Sequence, residues 1–106
     1  MNRLDYLNNL LASTPDDAFL LFAVAKEHEK AANGEEALQY YARLQSVNPD
    51  YVGLYYHFGK LLEKNDRIDE AVAVYKSGIA AAKKMNDLHA KAELVGALVQ
   101  WEDIEE

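Results

Sequence analysis

The chain has 106 residues, half of them hydrophobic and 27% charged, with a net charge of −7 and no cysteine. That composition fits one soluble globular domain, and the acidic balance excludes general nucleic-acid binding, which needs a basic footprint. The lack of cysteine excludes disulfides and thiolate metal sites, and no apolar run approaches the roughly 20 residues of a membrane span. Strand-like alternation is absent, so the predicted elements are all helices, at about 3–12, 16–31, 35–46, 50–64, 68–84 and 87–103. The first lies in MNRLDYLNNLLASTP, which is too polar for a secretory signal, and a cytoplasmic location is expected. Thr14 and Asn48 are the expected N-caps of the second and fourth helices, with Pro15 and Pro49 at the first helical position, where no N–H is needed. Between the second and third, Asn33-Gly34 marks a turn. Asp66 and Asp69 have capping-box spacing before the fifth. The sixth carries Leu88, Ala92, Val95 and Val99 as the stripe expected to cover the preceding helices. Leu94, Leu98 and Trp101 widen that stripe along one edge, either as a broad core face or as a surface for a homodimer. The tail WEDIEE adds four acidic residues and reads as a solvated terminus.

Sliding the chain along itself shows an internal repeat. At a shift of 34 residues Leu20/Leu54, Lys26/Lys60, Glu29/Glu63, Lys30/Lys64, Glu36/Glu70, Ala37/Ala71 and Tyr41/Tyr75 coincide. The same shift pairs Leu4/Leu38, Tyr6/Tyr40, Leu10/Leu44, Pro15/Pro49 and Asp16/Asp50. A helix–turn–helix unit of this length resembles the tetratricopeptide repeat family, whose loose pattern is W-x2-L-G-x2-Y, A-x3-F, P. The first full repeat offers Leu21, Val24, Ala25, His28, Ala37, Tyr41 and Pro49 at those places; the second offers Tyr55, Phe58, Gly59, Leu62, Ala71, Tyr75 and Lys83. His28 and Lys83 depart from the pattern. The resemblance implies an all-α, right-handed helix–turn–helix solenoid forming a single domain over 1–106. Its parts are a half-repeat helix (1–15), repeat 1 (16–49), repeat 2 (50–84) and a capping helix (85–106).

Catalytic and metal constellations are missing. His28, His57 and His89 lack the paired spacing of a helical zinc site, and His28 replaces a core leucine of the other repeat. Ser13, Ser46 and Ser77 have no evident base. Glu35-Glu36 and Asp69-Glu70 fall in the first turn of helices, where they complement the dipole. No enzyme activity, cofactor or metal is expected. Gly59 and Gly78, in helix interiors, need a packing reason, because glycine there costs about 0.5–1 kcal/mol relative to alanine.

What remains is surface. One stripe reads Phe19, Phe22, Lys26, Glu29, and its echo is Gly53, Tyr56, Lys60, Glu63. In the family that the chain resembles, first helices line a concave groove. The resemblance therefore implies a peptide-binding groove of Phe19, Phe22, Lys26, Tyr56, His57, Lys60 and Lys91. The alternative is that Phe19 and Phe22 pack on the N-terminal helix while the lysines are solvated. The places where some family members carry carboxylate-clamping asparagines are here Ala23 and His57, which leaves a general preference for acidic or C-terminal carboxylate groups. The expected function is protein–protein interaction as an adaptor or scaffold, without nucleic acid or membrane; the alternative is structural self-assembly as a homodimer.

Overall fold

The computed structural model describes residues 2–102, so Asp103 and the acidic end of WEDIEE lie outside the described residues. It consists of α1 (Arg3–Ser13), α2 (Ala18–Lys30), α3 (Gly34–Val47), α4 (Gly53–Lys64), α5 (Ile68–Lys84) and α6 (Leu88–Leu98). The described residues contain no strand. The fold is an all-α helical repeat. It divides into two compact units, Met1–Pro49 and Asp50–Glu106, with the boundary where the sequence divides one repeat from the next.

The helix starts differ from those expected, for a local reason. Thr14 closes α1 instead of opening α2: its N–H reaches the Leu10 and Leu11 carbonyls, and its hydroxyl donates to the Leu10 carbonyl. Pro15 and Asp16 form the turn, and Asp17 caps α2 by accepting the Leu20 N–H at 2.9 Å. Asn48 likewise ends α3, and α4 begins only at Gly53, after a Pro49–Val52 turn. Asp66 is no N-cap either. It holds a left-handed backbone (φ 60°) just past α4, while Arg67 forks onto the Glu70 carboxylate.

Asp66 belongs to a device used three times. Ala32 (φ 63°), Asp66 (φ 60°) and Asn86 (φ 59°) each follow a helix in left-handed conformation. The next amide then returns to the helix just finished: Asn33 to the His28 carbonyl at 2.8 Å, Arg67 to Leu62 at 2.9 Å, and Asp87 to Ala82 at 2.8 Å. This is the Schellman closure, which satisfies carbonyls that a helix end leaves open. Asp and Asn visit that conformation readily, but Ala32 does so against the contact between its Cβ and the following carbonyl oxygen.

In the first unit α2 packs on both α1 and α3. Leu21, Val24, Ala25, Ala37, Tyr41 and Leu44 are fully enclosed, and Leu7 and Leu11 fasten α1. The identity Leu10/Leu44 does not carry burial with it, since Leu44 is enclosed and Leu10 is exposed. Leu7 keeps the buried place that Tyr41 has in α3, while Leu11 is buried where Leu10 would be expected.

In the second unit α5 packs between α4 and α6. Here the helix-interior glycines find their reason. A Cβ on Gly59 would fall 2.2 Å from the Tyr75 ring, and one on Gly78 would fall 2.5 Å from Tyr55 Cβ and 2.9 Å from Leu94 Cδ1. Leu94 therefore faces inward, and the rotation of α6 differs from that expected. Leu94 and Leu98 are 1% and 3% exposed, while Leu88 and Val99 are 73% and 51% exposed. The stripe expected to cover the repeat faces outward, and two of the three residues assigned to self-association are core. Lys84 reaches Asp50 at 2.9 Å, joining the end of α5 to the turn before α4.

Candidate functional site

The two repeats build the same side-chain group, each within its own unit. In the first, Phe22 meets the Tyr41 ring at 6.2 Å in a tilted arrangement, and the Tyr41 hydroxyl donates to Glu29. Lys26, Glu27, Glu29 and Lys30 line an open recess of about 480 Å³. Glu27 is held from α1 by Arg3 at 3.0 Å. Phe19 stands 66% exposed at the start of α2, so it does not pack away against α1. His28 stacks on Tyr40 at 5.4 Å with its Nδ1 buried and without a hydrogen-bond partner, as a core-edge ring would be.

In the second unit the Lys60 ammonium lies 5.6 Å above the Tyr56 ring and 3.6 Å from the Glu63 carboxylate, which also accepts the Tyr75 hydroxyl. Tyr56 meets His57 edge-on at 6.0 Å. A cation over a ring face and beside a carboxylate is held in place, yet an ammonium has three N–H donors, so it can still bind another acceptor. Lys91, on α6, is half-buried. Of the three residues expected at a self-association edge, only Trp101 reaches solvent, at 43% exposure.

Sequence reasoning found Phe22, Lys26 and Glu29 with Tyr56, Lys60 and Glu63, but not the tyrosines that complete each group. Tyr41 and Tyr75 read as core and are core, with hydroxyls that emerge at the glutamates. The signal was present: a glutamate followed twelve residues later by a tyrosine in both repeats, 29 to 41 and 63 to 75. Burial pushes the Tyr41 hydroxyl well above the ordinary tyrosine range, and the bond to Glu29 and its charge push it further. Tyr75 is raised by burial first, then by its bond to Glu63. Both tyrosines therefore remain neutral donors. In the second group the charge of Lys60 is offset by Glu63 beside it, so the character of that group is aromatic and hydrogen-bonding more than electropositive. Among the described residues no cluster of three or more His, Cys, Asp or Glu could hold a metal ion, and no helix is long and apolar enough to cross a membrane.

No protein-family model and no curated protein matches the chain. Solved structures do. The solution NMR structure of a tetratricopeptide repeat domain protein from Salinibacter ruber is 41% identical, covers 81% of this chain and 87% of its own, and superposes with a TM-score of 0.77. A crystal structure of a tetratricopeptide repeat domain protein from the same organism is 40% identical over 84% of this chain and 99% of its own, with a TM-score of 0.76. The solution structure of a Bordetella parapertussis protein, 24% identical, covers 94% of this chain and 87% of its own at a TM-score of 0.79, and is a likeness of fold.

Proposed function

Since the chain belongs to the tetratricopeptide repeat family, we propose that it is a non-enzymatic interaction module that holds a peptide segment or helix of a partner protein against the first helices of its repeats. The observation that carries this reading is recurrence. Phe22/Tyr56, Lys26/Lys60, Glu29/Glu63 and Tyr41/Tyr75 return after 34 residues as a connected group, although only the tyrosines are needed for the core. Phe19, Phe22 and Tyr56 supply contact area at low entropic cost, while Lys26, Lys60 and Lys91 supply donors for the partner's carbonyls, acidic side chains or terminal carboxylate. His57 adds an adaptable edge beside Tyr56. Such a module serves as an adaptor or scaffold. The test is capture of partners from source lysate by the wild type and by Lys26→Glu combined with Tyr56→Ala. Capture lost with the helical signal unchanged supports the reading; capture retained refutes it.

A second reading, self-association through α6, is favoured by the apolar outward face of that helix, where Leu88, Ala92 and Val99 stand exposed. Leu88→Glu with Val99→Glu tests it by sedimentation: a dimer that becomes a monomer supports assembly, and a wild type that is monomeric at high concentration excludes it.

A further inference from the structure

We propose that Asn33 is a site of spontaneous covalent modification, where the backbone nitrogen of Gly34 displaces the side-chain amide and leaves aspartate and isoaspartate. Gly34 nitrogen gives its proton to hydroxide and bonds to Asn33 Cγ. The Cγ–Nδ2 bond breaks, and ammonia leaves with a proton from water. Water then opens the five-membered imide at either carbonyl. Opening at one carbonyl gives aspartate in the normal backbone. Opening at the other gives isoaspartate, with the former side-chain methylene now in the main chain. Nothing is oxidised or reduced, and water is the sole co-reactant.

The reaction needs an untied amide nitrogen, an unhindered following residue and a side chain not fixed by hydrogen bonds. Only Asn33 precedes a glycine. It is exposed, and its side chain makes no capping bond to α3. Gly34 is the first residue of that helix, so its N–H is one of those a helix start leaves without an intrahelical partner. The other asparagines fail one condition or another. Asn48 precedes Pro49, which has no N–H to give up. Asn2 accepts the Asp5 amide, and Asn65 donates to the Leu61 carbonyl. Asn86 precedes Asp87, whose amide is already bonded to the Ala82 carbonyl. Asn8 and Asn9 lie within α1 and precede bulkier residues.

The two products differ in effect. Asn33 joins α2 to α3 through its own backbone, its N–H on the His28 carbonyl at 2.8 Å and its carbonyl accepting the Ala37 N–H at 3.0 Å. Aspartate keeps that backbone and adds a carboxylate at a helix start; at the corresponding place before α6, Asp87 caps by accepting the Ala90 N–H. Isoaspartate lengthens the chain between the two bonds by one carbon, so both cannot be kept at native spacing.

The test is ageing of the full chain in warm, mildly alkaline buffer, followed by tryptic mapping and isoaspartyl-methyltransferase labelling. The expected result is an amide-to-acid mass gain in the Ala31–Arg43 peptide, several-fold faster than in any other asparagine peptide, with isoaspartate labelling in the same peptide. Gly34→Ala should slow the gain several-fold, and no glycine here has a positive φ that alanine could not adopt. Asn33→Asp should abolish the gain and melt no lower than fresh wild type, whereas the aged wild type melts lower. A folded chain in which this peptide reacts no faster than the others, or reacts only in urea, overturns the proposal.

Discussion

Tyr75 occupies the space that a side chain on Gly59 would need, with the ring 2.2 Å from where a Cβ would stand. The fully buried Tyr75 in turn sends its hydroxyl out to Glu63, so the missing side chain on α4 sets the position of a polar group on its surface. Gly59→Ala should therefore destabilise the protein by about 1–3 kcal/mol through overpacking. Gly96, with nothing within 4 Å of its Cβ position, should behave oppositely: Gly96→Ala gains about 0.5–1 kcal/mol of helix propensity. Urea unfolding of both variants checks the contrast.

The rotation of α6 makes a second pair of opposites. Leu94→Ala opens a cavity beside Gly78 and should cost about 2–5 kcal/mol. Leu88→Ala, on the outward face, should change stability by no more than about 0.5 kcal/mol. Thermal melts decide between this rotation and the opposite one, in which the two values exchange.

Ala32 is held at φ 63° by the closure of α2. Ala32→Gly removes the clash of its Cβ with the following carbonyl oxygen and should stabilise the first unit by about 1 kcal/mol. Asp66→Gly, at the equivalent turn, should gain less, because aspartate tolerates the conformation. Denaturant midpoints measured side by side give the comparison.

The tyrosine–glutamate bonds predict alkaline sensitivity. Tyr41 and Tyr75 are raised above the ordinary tyrosine value of 10.0, so the folded state holds their protons more tightly than the unfolded chain does. Their contribution is fully present below pH about 10 and is lost as pH rises through the folded values. Melting temperature should fall above that pH, and Tyr41→Phe with Tyr75→Phe should flatten the fall while lowering the plateau.

The repeat and its six helices could be read because the 34-residue shift compares the chain with itself, which removes most ambiguity of propensity. The rotation of α6 could not be read. Leu88, Ala92, Val95 and Val99 form one apolar stripe and Leu94, Ala97 and Leu98 another, so periodicity allows either to be core. The choice was made by a neighbour, Gly78 on α5, whose empty Cβ position receives Leu94. Cap positions failed for a similar reason. Thr14, Asn48 and Asp66 have the right chemistry to begin a helix, yet each was taken up by the end of the preceding one. The groups Phe22–Lys26–Glu29 and Tyr56–Lys60–Glu63 were legible as stripes, while the hydroxyls of Tyr41 and Tyr75 required the third dimension.

The three left-handed closures also bear on how the chain reaches its fold. Each confines the connection between two helices to a few residues whose amides are paired with the helix just completed, while a carbonyl accepts from the first turn of the next: Ala37 to Asn33, Ala71 to Arg67 and Lys91 to Asp87. The helix pairs α2–α3 and α4–α5, and the junction of α5 with α6, thus meet through near neighbours in sequence, and little loop entropy is lost when they dock. Folding should begin at these turns and run quickly. The slowest step then falls to segments without such a clasp, of which Asn48–Val52 is the clearest.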